Sequence, residues 1–188
     1  LVGGSLNSGT VTIPHDGLPY VVTSTITVNS GVTTTITLTL QPGVTLKFAA
    51  TTGLAVGIAG TSWPGVLLAQ GTAAAPITFT TSSATPTPGA WNGLNFSSGP
   101  TAATLCDYCV IEYGGGDSND ANLRLAASTP TITHSTIRFS DGRGITTISS
   151  APLLEDNAIT DNASYGLYLG SGSSSDRPIV QGNTFSAN

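Results

Sequence analysis

The chain has 188 residues, of which 39% are hydrophobic and only 8% charged. That length suffices for one domain with a substantial core, and the apolar content excludes bulk disorder. The formal net charge is −5, with one Lys and four Arg, so no basic stripe exists and nucleic acid or an anionic membrane surface is a poor partner.

Thr occurs 30 times and Gly 23 times. Thr favours strands and Gly favours turns, so helix-rich folds are disfavoured. The charge is uneven: residues 1–100 hold only Asp16 and Lys47, whereas residues 101–188 hold nine acids and four Arg. Ion or polar-ligand chemistry is therefore expected in the second half. No run of 18 apolar residues occurs, so no membrane-spanning helix is expected. Met is absent and the chain starts at Leu1, which reads as a processed or trimmed product. Few Lys, many Thr and Ser, and a pI near 4.5 suggest secretion or a cell-surface location. Cys106 and Cys109 lie too far apart along one extended strand for a disulfide, at about 10 Å, although a turn can bring them together. Two buried free thiols are the expectation.

In chain order, residues 1–20 read as an N-terminal cap. From residue 21 the pattern alternates. Ile26 and Val28, then Ile36, Leu38 and Leu40, alternate with Thr. The turn Gln41-Pro42-Gly43 leads into Val44, Leu46 and Phe48, and further alternating pairs follow at Leu54–Ile58, Val66–Leu68 and Ile77–Phe79. Residues 80–92 and 113–122 read as loops.

The second half repeats openly. Cys109–Gly114, Ser135–Ser140, Asn157–Asn162 and Asn183–Asn188 align as small or Asn, x, apolar, x, x, small or Asn, at spacings of 26, 22 and 26. A second series aligns Leu94-Asn95-Phe96, Leu123-Arg124-Leu125, Ile145-Thr146-Thr147 and Leu167-Tyr168-Leu169. A third starts at Pro76, Pro130, Pro152 and Pro178. Three short alternating segments per repeat, with Gly, Asn, Ser or Pro at the corners, predict a right-handed, three-faced parallel β-helix. At about 25 residues each, the chain holds about seven rungs. Asn162 and Asn188 are expected in a left-handed corner conformation. Asn157 and Asn183 are expected to bond along an internal ladder. The helix spans 21–188 and is expected to continue beyond Asn188 in a longer protein, or to be covered there by another subunit.

Two stretches then resemble a known family. Pro42–Phe48 followed by Gly65–Thr72 and Pro76–Thr80 is similar to bacterial right-handed parallel β-helix repeat proteins of the pectin-lyase-like superfamily. So is Pro88–Phe96 followed by Cys109–Gly115. The resemblance covers about residues 40–188. It implies the β-helix fold and the secreted or surface repeat branch, and it brings no catalytic motif.

Stacking turns sequence offsets into neighbours. Glu112 falls one rung from Arg138, about 4.8 Å along the axis. Tyr108, His134 and Asp156 form one column; Asp107, Thr133 and Glu155 form another. The functional reading is an acidic-basic patch that binds or cleaves a uronate or other sugar; the alternative is an exposed ion pair on solvated strand faces. The candidate catalytic residues are His134, Arg138 and Glu155, with Glu155 and Asp156 pointing to opposite faces rather than forming a carboxyl pair. The candidate ligand-binding residues are Trp91, Glu112, Tyr113 and Asp156. No cofactor is expected. Calcium is the one metal considered, at Asp117, Asn119 and Asp120 in a loop that lacks an EF-hand's spacing. A polar loop is the alternative there.

The leading expectation is a non-catalytic extracellular module, a rigid spacer with an adhesive or glycan-binding surface. Its expected partner is a polysaccharide or cell-surface glycan, with no membrane insertion. Two alternatives are a polysaccharide lyase or glycoside hydrolase acting on an acidic polysaccharide, and a filament unit stacking end to end.

Overall fold

A computed structural model describes residues 3–29, 31, 33–58, 63–97, 103–170, 172 and 177–188. These residues form 21 strands, β1 to β21, in three parallel sheets of seven. The first sheet holds β1 (Gly4–Leu6), β4 (Ile26–Val28), β7 (Leu54–Val56), β10 (Leu94–Ser97), β13 (Ala121–Ala126), β16 (Arg143–Ile148) and β19 (Leu167–Leu169). The second holds β2 (Thr10–Ile13), β5 (Ile36–Leu40), β8 (Gly65–Gln70), β11 (Leu105–Asp107), β14 (Thr131–Thr133), β17 (Leu153–Glu155) and β20 (Ile179–Gln181). The third holds β3 (Tyr20–Val22), β6 (Thr45–Phe48), β9 (Ile77–Thr81), β12 (Cys109–Glu112), β15 (Thr136–Arg138), β18 (Ala158–Thr160) and β21 (Thr184–Ser186). Each strand pairs with the one three elements later. The chain therefore coils as a right-handed parallel β-helix of about six turns.

The expected registers recur in the pairing. Ile111 opposes Ile137, then Ile159, then Phe185. Leu94 opposes Leu123, then Ile145, then Leu167. The proline series needs correcting. Pro130, Pro152 and Pro178 precede second-sheet strands, but Pro76 precedes β9 of the third sheet, where Ile77 opposes Cys109. Proline has no N–H, so it fits just before any strand and does not mark one face. Residues 80–81 end β9 and 121–122 begin β13, so both expected loops are slightly shorter. Within residues 1–20, β1 and β2 already pair in register with β4 and β5.

Inward residues stack on their own kind one rung away. Leu46, Phe79, Ile111, Ile137 and Ile159 are each fully buried along the third sheet. Burying one such side chain is worth about 1.5–3 kcal/mol, and every inward position is shared between rungs. Cys106 and Cys109 join this core as free buried thiols, and burial pushes the Cys109 thiol up.

The corners carry the strain. One residue separates β11 from β12, so the chain turns at Tyr108 with φ of 48°. His134 at 48° and Asp156 at 53° repeat this turn one and two rungs on. At the next corner Tyr113, Phe139, Asp161 and Ala187 lie between 52° and 63°. Each such non-glycine residue costs about 1–2 kcal/mol. The left-handed residues are thus Asp161 and Ala187, not the Asn162 and Asn188 that follow them. The Asn has another task. Asn157 Oδ1 accepts the Ser135 N–H at 2.9 Å, and Asn183 Oδ1 accepts the Asn157 N–H at 2.9 Å. Asn162 Oδ1 likewise accepts the Ser140 N–H at 3.1 Å, and Asn188 Oδ1 the Asn162 N–H at 3.3 Å. The expected Asn157–Asn183 ladder is present and has a twin.

Asn157 is 2% exposed, and its Nδ2 also donates to the Ile132 carbonyl at 2.9 Å. Asn157→Ala leaves buried backbone groups unpaired and should cost at least about 2 kcal/mol in urea denaturation. A loss below about 0.5 kcal/mol would show that the ladder is dispensable.

Candidate functional site

The expected chemistry gathers around the outer face of the third sheet. Strand alternation points Lys47, Thr80, Glu112, Arg138 and Thr160 outward along one column. Arg138 grips Glu112: its Nε and Nη2 lie 2.8 and 2.7 Å from Glu112 Oε2. The other carboxylate oxygen accepts the Thr80 hydroxyl at 3.0 Å. Both oxygens of Glu112 are therefore engaged, and its side chain is only 12% exposed. The Arg138 guanidinium also lies 5.0 Å from the centre of the Phe139 ring.

Two corner columns flank this pair. On one side the Tyr108 and His134 rings stack at 4.8 Å, 9° from parallel. The stack follows from two left-handed corners one rung apart. His134 Nδ1 is 2.8 Å from Asp107 Oδ1, and its Nε2 is 3.9 Å from Asp156 Oδ2. The Thr133 hydroxyl donates to the same Asp107 oxygen at 2.8 Å. The hydrogen bond to Asp107 raises the His134 pKa above its ordinary value; burial opposes this, and the charges of Asp107, Asp156 and Glu155 add to it. On the other side the Tyr113 and Phe139 rings stack at 5.1 Å.

The structure brings together Glu112, Tyr113, His134, Arg138 and Asp156 around one sheet and its two edges. It places Glu155 on the outer face of the second sheet, in one column with Asp107 and Thr133, where its charge acts on His134 and Gln181 Nε2 donates to it. Trp91 is corrected: it is fully buried, stacked on Phe48 at 4.3 Å, with Nε1 donating to the Glu112 carbonyl at 2.8 Å. An indole with one face against a core ring and its N–H satisfied is a packing residue that steadies Glu112.

In the loop before β13, Asp117 uses both carboxylate oxygens on Asn119, at 2.9 Å to its N–H and 2.7 Å to its Nδ2. Asp120 reaches Arg143 at 3.9 Å. Among the described residues no three His, Cys, Asp or Glu side chains group closely enough to hold a metal ion.

A family model described as a pectate-lyase-like beta helix domain matches residues 4–126. The chain belongs to the pectate-lyase-like β-helix family. No curated protein and no solved structure matches it. The family match spans β1 to β13, so His134, Arg138, Glu155 and Asp156 lie on rungs beyond it.

One outward column escaped the sequence reading. The middle residues of the Leu94, Leu123, Ile145 and Leu167 series are Asn95, Arg124, Thr146 and Tyr168, aligned on the outer face of the first sheet. The apolar neighbours had been aligned, and the same alignment held the polar column.

His134 sits in the open, so its titration is directly readable. Its folded pKa is raised, so the contact with Asp107 stabilises the fold at acid pH, and that contribution fades as pH rises through the folded value. An NMR titration should find His134 titrating above its ordinary value, and Asp107→Asn should lower it. An unchanged value in Asp107→Asn would contradict the assigned hydrogen bond.

Proposed function

We propose that this chain is a non-catalytic extracellular or cell-surface β-helix module. It acts as a rigid spacer and carries an adhesive, glycan-binding surface on the third sheet. One observation carries the reading: the Glu112–Arg138 pair, on the neighbouring strands β12 of four residues and β15 of three, lies between the Tyr108–His134 and Tyr113–Phe139 stacks. Four strand residues span about 13 Å, a width suited to a sugar chain. Aromatic side chains offer faces to sugar rings, and the charged pair and Asp156 offer hydrogen bonds to hydroxyls.

The same geometry disfavours turnover at this face. Arg138 is held by Glu112, and Glu155 accepts a hydrogen bond from Gln181. A lyase or hydrolase acting on an acidic polysaccharide is the second reading. It rests on the Asp107–His134 pair, in which a carboxylate holds an exposed imidazole as in a general acid or base.

The test incubates the protein with neutral and acidic polysaccharides, with and without calcium. Bound protein and new reducing ends are measured together. The expected result is binding without new ends, weakened about tenfold by Arg138→Gln or Tyr113→Ala, the loss of one charge-assisted or aromatic contact. New ends that vanish in His134→Gln would replace this reading with the enzymatic one.

A further inference from the structure

We infer that Cys106 and Cys109 form a covalent modification site. In the presence of a small-molecule disulfide they close to an internal disulfide across the corner between the second and third sheets, and the state of that bond is felt outside at His134. The site is independent of any ligand on the third sheet.

The argument starts from the corner. On a straight strand these two residues would lie about 10 Å apart, too far for a disulfide. The chain bends instead: β11 ends at Asp107, Tyr108 turns with φ of 48°, and β12 begins at Cys109. Both cysteines point into the core from the two arms of the bend, 0% and 1% exposed. One rung on, the same two positions hold Ile132 and Ser135; two rungs on, they hold Leu154 and Asn157. The chain has two cysteines, and this one corner takes both.

The contacts of Cys109 show which way its side chain leans. Its Sγ lies 3.5 Å from the Ala69 carbonyl oxygen and 3.8 Å from that of Asp107. Ala69 is the residue that pairs with Cys106 on the rung before. The sulfur therefore reaches across the inside of the corner toward Cys106. The two thiols are hydrogen-bonded, and after burial that bond is the largest cause pushing the Cys109 thiol up. Leu40 and Ile132 fill the neighbouring places of the Cys106 column, whereas Ala69 is small. It leaves room beside both sulfurs for the rotation that brings them into bonding distance.

The chemistry is thiol–disulfide exchange. One cysteine thiolate attacks a sulfur of oxidised glutathione, which releases one glutathione thiolate and leaves a mixed disulfide. The second cysteine thiolate attacks the protein sulfur of that mixed disulfide, which forms the Cys106–Cys109 bond and releases the second glutathione. The protein gives up two electrons and two protons, and the glutathione disulfide takes them. Nothing has to enter the closed core. A buried thiol held in its neutral form reacts slowly, so the bond forms while the corner is open during folding. The fold then favours the bond, because the bend holds together two sulfurs that the unfolded chain must bring together by chance.

The residues inside the closed loop are the ones that hold His134. Asp107 Oδ1 lies 2.8 Å from its Nδ1, and the Tyr108 ring stacks on it at 4.8 Å. Drawing Cys106 and Cys109 together shifts both contacts, so the imidazole reports the bond.

The test refolds the whole chain from urea in a buffer of reduced and oxidised glutathione, with a second sample kept unfolded in urea in the same buffer. Both are quenched with acid and weighed by mass spectrometry. The folded chain should lose two hydrogens and stay monomeric. Its ratio of bonded to dithiol protein should exceed that of the unfolded chain tenfold or more, or by about 1.4 kcal/mol through linkage. The His134 ring signals in NMR should move on oxidation and return with reductant, and in Cys106→Ala they should ignore the glutathione ratio. An equal or lower ratio in the folded chain, glutathione adducts or dimers as the main product, or an oxidised chain that is unfolded would each overturn the site. A bond that forms without moving the His134 signals would overturn its link to the surface.

Discussion

Everything in this molecule hangs on how one rung is tied to the next at its corners. At most corners a short strand turns into the next face through a residue in the left-handed region. At Tyr108, His134, Phe139 and Asp156 that residue is not glycine. The strain is tolerated because the following residue turns inward and its backbone N–H finds a side chain one rung on. Ser135, Asn157 and Asn183 serve one corner, and Asn162 and Asn188 another. Ser128 donates its N–H to Ser150 Oγ at 3.2 Å at the third corner, so in the second half of the chain the device serves all three corners. The bond satisfies a buried donor and sets the register at the same time.

Because the corners and inward stacks hold the coil, the outward positions are released from structural duty. Their side chains fall into columns whose spacing is the distance between strands. The third-sheet column brings Thr80, Glu112 and Arg138 into one hydrogen-bonded line. The first-sheet column brings Asn95, Arg124 and Thr146 together but leaves the last of them idle. The left-handed corners add a second effect: they stack Tyr108 on His134 and Tyr113 on Phe139 at the two edges of the sheet between them, with Tyr113 also packed against the core.

Much of the fold was legible because an inward apolar residue must meet another one rung away. That requirement makes Ile111, Ile137, Ile159 and Phe185 recur at readable spacings, and with them the Glu112–Arg138 and Asp107–Thr133–Glu155 neighbours. What escaped had weaker local causes. Proline tolerates the start of a strand on any face, so Pro76 joined the wrong series. Asn is common both at left-handed turns and in ladders, and only the backbone shows that Asp161 turns while Asn162 bonds. Trp91 was named a candidate ligand contact because an indole can stack on a sugar, yet its ring is fully buried and stacks on Phe48 in the core. The cation–π contact of Arg143 with Tyr168 depends on where two long side chains come to rest, which no linear pattern encodes.

The central claim is that the corner amides are tied into the core rather than lying in open turns. Amide hydrogen exchange followed by NMR tests it directly at Ser135, Ser140, Asn157 and Asn162. These four N–H groups should exchange as slowly as those of Ile137 and Ile159 in the buried strands, through global unfolding alone. Fast exchange at the four corners with the strands still protected would contradict the account, because the rungs would then be held by strand pairing and core stacking without the ladders.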